Sequence, residues 1–278
     1  MSKLIRANLA RLRKSKLLYI GVALMLGMTL IQIFKSYDFI NSNPDIPIAP
    51  DRFIFMFTSH SIILTAIFMG FFIGTENGDK TIRNKIIAGH TRTNIYLSYM
   101  IVSLIAASVF FLTPSFITLV CGLPLLGSFC WTPEILISSF IYSLFCLIAF
   151  VSVFMLIVLL ISNKAAASIT VLIIAFIMIV MPSYIFFALS EPEIIQDAVI
   201  GSDGNSIEFA EVANPDYIGG IPRILLEFIL SFLPGCQIYQ LGENTLPYNS
   251  WLFPIYSLII ITLCSIIGII CFKRKMLK

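Results

Sequence analysis

Six stretches of this chain run without a single Asp, Glu, Lys or Arg for long enough to cross a bilayer. They cover residues 17–34, 53–73, 95–120, 135–161, 165–189 and 251–272. A helix rising 1.5 Å per residue needs about 20 apolar residues to span about 30 Å of hydrocarbon. Inside hydrocarbon every backbone amide must be satisfied by the segment itself, which helices do. The expectation is therefore an all-α membrane protein with six transmembrane helices in a single domain over residues 1–278. Composition agrees: 58% of the residues are hydrophobic and 12% charged, about half the charged share of a soluble domain.

Charge sets the orientation. With both ends in the cytoplasm, the inner segments hold 15 of the 18 basic residues and the outer ones only Lys35, Arg52 and Arg223. Of the 15 acidic residues, Glu76 and Asp79 alone fall inside. Basic residues collect on the cytoplasmic side of membrane proteins, so both termini are expected there, in a multi-pass protein of the plasma membrane. Residues 1–16 are basic, with Ile5, Leu9 and Leu12 at helical spacing. No small-residue cleavage site follows, so this stretch reads as a retained amphipathic helix in the inner interface, facing membrane lipid.

The second run carries two features. Gly70, Gly74 and Gly78 repeat every four residues, a small-residue stripe that lets a neighbouring helix backbone approach closely. Near its outer end stand Thr58, Ser59, His60 and Ser61, with Thr65 one turn on. His60 is the one ionisable residue well inside a run and thus a functional candidate, though a histidine there can equally bond a neighbouring hydroxyl. Pro114 is expected to kink the third helix and Pro182 to bend the fifth. The short turn at Asn163 and Lys164 makes the fourth and fifth helices antiparallel neighbours, with small or polar residues from 162 to 168 suited to close packing.

Residues 190–250 form a long outer segment. Its first half reads as an acidic loop, with a turn at Gly201, Asp203, Gly204 and Asn205. Residues 218–233 then turn apolar but carry Arg223, Glu227 and Ser231 every four residues, which gives one polar helix face. The continuous apolar run is too short to cross, and a seventh crossing would put the basic C-terminus outside. A re-entrant or interfacial helix fits, with Arg223, Glu227 and Ser231 as candidate outer-gate residues and a second short helix near 236–241.

Residues 76–92, ENGDKTIRNKIIAGHTR, join the second and third spans. Residues 80–88 read as a short helix, with Asp79 as its N-cap and Gly89 as a left-handed C-terminal cap. Ile82, Ile86 and Ile87 make a narrow apolar stripe between Lys80, Arg83 and Lys85. Such a stripe suits a helix lying flat on the membrane or one docking into a groove on a partner.

Catalytic motifs are absent: no P-loop, no nucleophile elbow and no zinc-binding His-Glu-x-x-His occurs. Intrinsic catalysis, a metal and nucleic-acid binding are not expected. Cys121 and Cys130, both in the outer region, could bridge. No run carries a central charge of the kind ion-coupled transporters use.

The stretch 71–98, FFIGTENGDKTIRNKIIAGHTRTNIYLS, resembles the permease subunits of type-2 ATP-binding-cassette (ABC) exporters. The matching positions are Glu76, Gly78, Lys80, Thr81, Ile82, Arg83, Asn84, Gly89, Arg92, Tyr96 and Leu97. The order of parts along the chain is similar as well. The resemblance implies a transport subunit with residues 80–88 as the coupling helix of a separate cytoplasmic ATPase, contacted through Glu76, Lys80, Ile82, Arg83, Lys85, Ile86 and Ile87. ATP and Mg would sit on that partner and not on this chain. A second permease chain, identical or a sister, would complete the path. Thr58, Ser59, His60, Ser61, Thr65, Ser168 and Thr170 become candidate lining residues for an amphipathic peptide, drug-like or lipid-like cargo. An antimicrobial peptide expelled by a bacterium for self-protection is one such cargo. The rival readings are a self-contained channel or secondary transporter, and a membrane subunit that senses or anchors.

Overall fold

Long apolar runs with no charged interruption fold into the six long helices of a membrane-spanning bundle. The computed structural model describes residues 1–46, 48–79, 81–200, 207–243 and 249–275. Lys80, the turn residues Gly201, Asp203, Gly204 and Asn205, and Lys278 lie outside the described residues.

Helix α1 (Ser2–Arg13) leads at Ser15 into α2 (Lys16–Ser42). Short α3 (Asp51–Met56) breaks at Phe57 and continues as α4 (Thr58–Gly78), followed by the short helix α5 (Thr81–Ile87). Helix α6 (Arg92–Ile117) passes through Pro114 and ends in a π turn, Thr118–Gly122, before α7 (Leu123–Leu126). Then come α8 (Pro133–Leu160) and α9 (Lys164–Ser190). Strands β1 (Ile194–Ile200) and β2 (Ile207–Ala213) are followed by α10 (Gly220–Phe232), α11 (Pro234–Gly242) and α12 (Phe253–Arg274).

Among the described residues, six segments are long and apolar enough to cross a membrane: Lys16–Ser42, Asp51–Gly78, Arg92–Leu126, Pro133–Leu160, Lys164–Ser190 and Ser250–Arg274. Five of the six contain an expected run and exceed it, because the helices continue into polar flanks that carry no hydropathy signal. The fourth also starts early, at Pro133, but stops one residue short of its run, at Leu160. Helices α4, α6 and α8 are mostly buried, while α2, α9 and α12 are buried over less than a quarter of their spans. The core therefore lies along α4, α6 and α8, where Met69, Tyr99, Phe110, Phe150 and Phe154 are closed off.

The glycine stripe does what its spacing implies. A Cβ at Gly70 would lie 2.9 Å from the Ser168 Cα of α9, and one at Gly74 or Gly78 would meet Lys164 at 3.5 Å. The partner of the stripe is thus α9 of the same chain, and small residues let the two backbones close together. Asn163 caps α9, its side chain accepting from the amides of Ala165 and Ala166 at 2.9 and 3.2 Å.

One expectation for residues 190–250 is revised. The acidic stretch is an antiparallel hairpin, registered from Ile194 opposite Ala213 to Ile200 opposite Ile207. Ile and Val in β1, and Ile, Phe and Val in β2, are strand formers, a signal masked by the acidic residues among them. Asn214 closes the base of the hairpin, donating to Glu191 at 3.0 Å and to the Pro192 carbonyl at 2.9 Å. Beyond it, α10 and α11 meet at 82°. Arg223, in the first turn of α10, donates to the Leu189 carbonyl at the end of α9 (3.1 Å). At the far end of α11, Gly242 approaches Met56 and Phe55 of α3. Both ends of the bent pair thus sit at one end of the bundle. Its corner packs at Met178, eleven residues back along α9, or about 16 Å at 1.5 Å per residue.

Candidate functional site

Hydrogen bonds to helix termini sort the connecting segments onto the two ends of the bundle. Asn77 donates to the Ile161 carbonyl at the end of α8 (2.6 Å), and Lys275 to that of Leu159 (2.8 Å). Arg92 donates to the carbonyls of Phe272 (2.8 Å), Lys273 (2.9 Å) and Lys275 at the end of α12. Cations and side-chain donors suit helix C-termini, whose last carbonyls lack partners. Desolvation of Lys275 lowers its pKa from the usual lysine value. These bonds gather the close of α4, the start of α6, the α8–α9 turn and the close of α12 at one end, the basic end.

Glu76 stands at the centre of that end. Its side chain is buried, and its carboxylate accepts from Arg11 of α1, Lys85 of α5 and the Tyr99 hydroxyl of α6. Arg11 also donates to the Phe72 carbonyl at 2.5 Å and lies over the Phe72 ring. Lys85 reaches Asn8 (3.2 Å) and the Tyr99 oxygen (3.0 Å), and Asn8 donates to Ser98 (3.1 Å). One carboxylate thus ties four helices. The residues face inward because a buried carboxylate is costly unless paired and hydrogen-bonded. The sequence showed Glu76 as one acid in a basic loop; its main partner Arg11 is 65 positions away.

This geometry corrects the expected stripe of α1. Leu4, Asn8 and Leu12 face the protein and are buried, while Ile5 and Leu9 are only partly covered. Helix α1 docks against α6 through a polar residue between two leucines, one position round from the stripe read from hydrophobicity.

Helix α5 begins at Thr81, whose hydroxyl donates to the Glu76 carbonyl at 2.9 Å. It is capped beyond Ile87 by Gly89 with φ +87°, where the amides of Gly89 and His90 bond the Ile86 and Lys85 carbonyls at 2.9 and 3.1 Å. This is a Schellman cap, which favours glycine at the left-handed position. Asp79 closes α4, its amide on the Thr75 carbonyl at 2.8 Å. The apolar stripe is split. Ile82 is 1% exposed and Ile86 packs on the same core, whereas Ile87 is 74% exposed. Ile82, Ile86, Glu76 and Lys85 therefore hold α5 to its own chain, with Ile82 and Glu76 buried and Lys85 and Ile86 partly covered. Arg83, Asn84 and Ile87 form the outward face.

At the opposite end, Asp51 is fully buried and accepts the amides of Cys130 (3.1 Å) and Trp131 (2.6 Å). Cys121 and Cys130 are both free thiols, as are the other four cysteines, so no bridge joins them. Ser59 and His60 open into a cavity of about 290 Å³ shared with Ser183 of α9 and Tyr239 and Glu243 at the end of α11. The other path candidates do not. Thr58 is buried, Ser61 donates to the Phe57 and Phe110 carbonyls (3.0 and 3.2 Å), and Thr65 donates to Ser61 (2.7 Å). Ser168 sits against Gly70, its hydroxyl on the Lys164 carbonyl at 3.0 Å. Thr170 is half-buried. Hydroxyls in apolar helices bond their own backbone, and that satisfies Ser61, Thr65 and Ser168 here.

The expected gate residues make a surface set. Arg223 pairs with Glu227 at 3.1 Å, and Ser231 donates to the Glu227 carbonyl at 3.0 Å, on a helix with no buried residue. The buried work falls to Gln237 of α11, which sequence reasoning passed over. Its oxygen accepts from the Cys146 thiol of α8 (2.9 Å) and the Ser257 hydroxyl of α12 (3.1 Å). Its nitrogen donates to the carbonyls of Ser231 (2.8 Å) and Phe232 (3.3 Å) at the end of α10. Gln240 adds a bond to the Leu230 carbonyl at 2.8 Å. Two glutamines, Gln237 and Gln240, inside a largely apolar stretch are the available signal.

Among the described residues, no group of three His, Cys, Asp or Glu side chains could hold a metal ion. No family model matches the chain, and neither does any curated protein.

Proposed function

We propose that this chain is the membrane-spanning permease subunit of an ATP-driven exporter of the type-2 ABC class, and that α5 receives the push of a separate ATPase. The observation that carries this reading is the mounting of α5. A helix of seven residues is too short to be stable alone, yet this one is capped at its C-terminus and pinned by Lys85 to a carboxylate shared with α1, α4 and α6. It is held rigidly and still presents Arg83, Asn84 and an exposed isoleucine. An exposed apolar residue between polar ones on a fixed helix is what groove docking uses.

In this reading the basic end lies in the cytoplasm of a bacterial cell and two permease chains pair with two ATPases. ATP and Mg bind the partner. Closure of the ATPases displaces α5, and the Glu76 contacts pass the displacement to α1, α4 and α6 together. The bent pair α10–α11 is the re-entrant element at the outer face. The cavity of Ser59 and His60 is the candidate contact for an amphipathic peptide, drug-like or lipid-like substrate, because it combines hydroxyls and a carboxylate with the apolar walls of Ile179 and Ile238.

The test is a pull-down of the tagged chain from its native host in mild detergent, with an ATPase assay of the eluate. A stoichiometric ATPase is expected, and Ile87→Asp is expected to remove it while the permease still inserts and stays monodisperse. A chain that purifies alone, under conditions that preserve such complexes, would favour a channel or a sensing subunit.

A further inference from the structure

A cavity of about 270 Å³ opens where α1 turns into α2. One wall is polar and cationic, built from Arg11, Lys14, Ser15 and Thr75; the other is Leu17, Phe71 and Phe72. Arg11 has committed one edge to Glu76 and the Phe72 carbonyl, but a third of its side chain remains exposed. Lys14 stands at the C-cap of α1 and takes part in no ion pair among the described residues. Ser15 leaves its hydroxyl uncommitted as a cap. Lys164 adds a further cation nearby, 5.8 Å from the Phe71 ring centroid. The carboxylate of Glu76, close by, is already saturated by Arg11, Lys85 and Tyr99.

The occupant must therefore be an anion, and one joined to something apolar. Phe71 is half-exposed beside the cavity, and the neighbouring turn of α2 presents Tyr19 and Ile20 outward. The Tyr19 hydroxyl donates to the Arg13 carbonyl at 2.8 Å and fixes the turn. The cavity lies where a basic helix meets the first residues of a spanning helix, the level at which headgroup phosphates stand.

We propose that this cavity is a binding site for the headgroup phosphate of an anionic phospholipid, with Lys14, Arg11 and Ser15 on the phosphate and Leu17 and Phe71 along the first methylenes. Because Arg11 also holds Glu76, the bound lipid steadies α1 against α4. The proposal does not depend on the transport reading.

The test uses the full chain in neutral detergent, with phosphatidylglycerol or phosphatidylcholine added, read by native mass spectrometry and by thermal melting. The wild type is expected to retain one phosphatidylglycerol and to melt higher with it than with phosphatidylcholine. Lys14→Glu is expected to weaken retention about tenfold or more without changing the melt in phosphatidylcholine. Arg13→Glu, one position away and outside the lining, is expected to stay within about twofold. Equal loss in the two variants would overturn the site in favour of diffuse surface charge. Equal retention of phosphatidylcholine would overturn the anion assignment. The same stabilisation by soluble glycerol 3-phosphate would overturn the lipid source. Should Lys14→Glu fail to give a monodisperse protein, Lys14→Gln carries the same comparison with a smaller expected loss.

Discussion

The basic end of the bundle and the α10–α11 corner close their polar groups with different chemistry. At the basic end the work is done by charge: Glu76 with Arg11 and Lys85, and Arg92 and Lys275 on the open carbonyls of α12 and α8. At the α10–α11 corner it is done by uncharged amides, with Gln237 and Gln240 on the last carbonyls of α10. Depth explains the difference. The basic groups sit at helix ends, where long side chains keep partial contact with water, as the exposed third of Arg11 shows. The corner of the hairpin lies well inside the bundle, where an ion would lose its hydration outright. A neutral amide satisfies donors and acceptors together at far lower cost.

The sharpest way to break the contrast is to remove the charge at the basic end. Glu76→Ala leaves Arg11 and Lys85 facing one another half-buried, and is expected to destabilise by about 2–3 kcal/mol. That is the cost of breaking a buried pair, reduced because both cations are partly wet. Thermal melting in detergent should show the loss, with Glu76→Gln clearly milder. At the corner, Gly235→Ala places a methyl group into the Met178 backbone oxygen. Backbone cannot yield as a side chain can, so a loss of about 1–3 kcal/mol is expected, with new protease cleavage near the α10–α11 corner. Gln237→Leu leaves the Ser257 hydroxyl and two α10 carbonyls without their partner. It should cost about 1–2 kcal/mol and raise the labelling rate of Cys146, which is fully buried in the wild type. The smallest effect belongs to Arg223→Gln. Its pair with Glu227 is largely exposed, and the melt should shift by less than about 1 kcal/mol.

What could be read ahead of the structure was local. The six apolar runs, the Gly89 cap and the Gly70–Gly74–Gly78 stripe each depend on spacing within one segment, and each is present. What could not be read joins distant positions. Arg11 and Glu76 lie 65 residues apart, and Cys146 and Gln237 91. Nothing in either local stretch names the partner. The stripe of α5 shows the same limit. Helical spacing put Ile82, Ile86 and Ile87 near one face, but only the packing of α5 on its own chain turned Ile82 inward and left Ile87 out. The hairpin Ile194–Ala213 is hard to read for a different reason: its strand-forming residues are interspersed with Asp197, Glu208 and Glu211, which locally resemble an acidic loop.

The central claim is that Glu76 makes α1, α4, α5 and α6 move as one unit while the α10–α11 hairpin is held separately. Hydrogen–deuterium exchange of the wild type and Glu76→Gln tests it most directly. The account predicts that amides of α1 and α5 lose protection together in the variant, with α10 and α11 unchanged. Loss confined to α1, or an equal loss in α11, would contradict it.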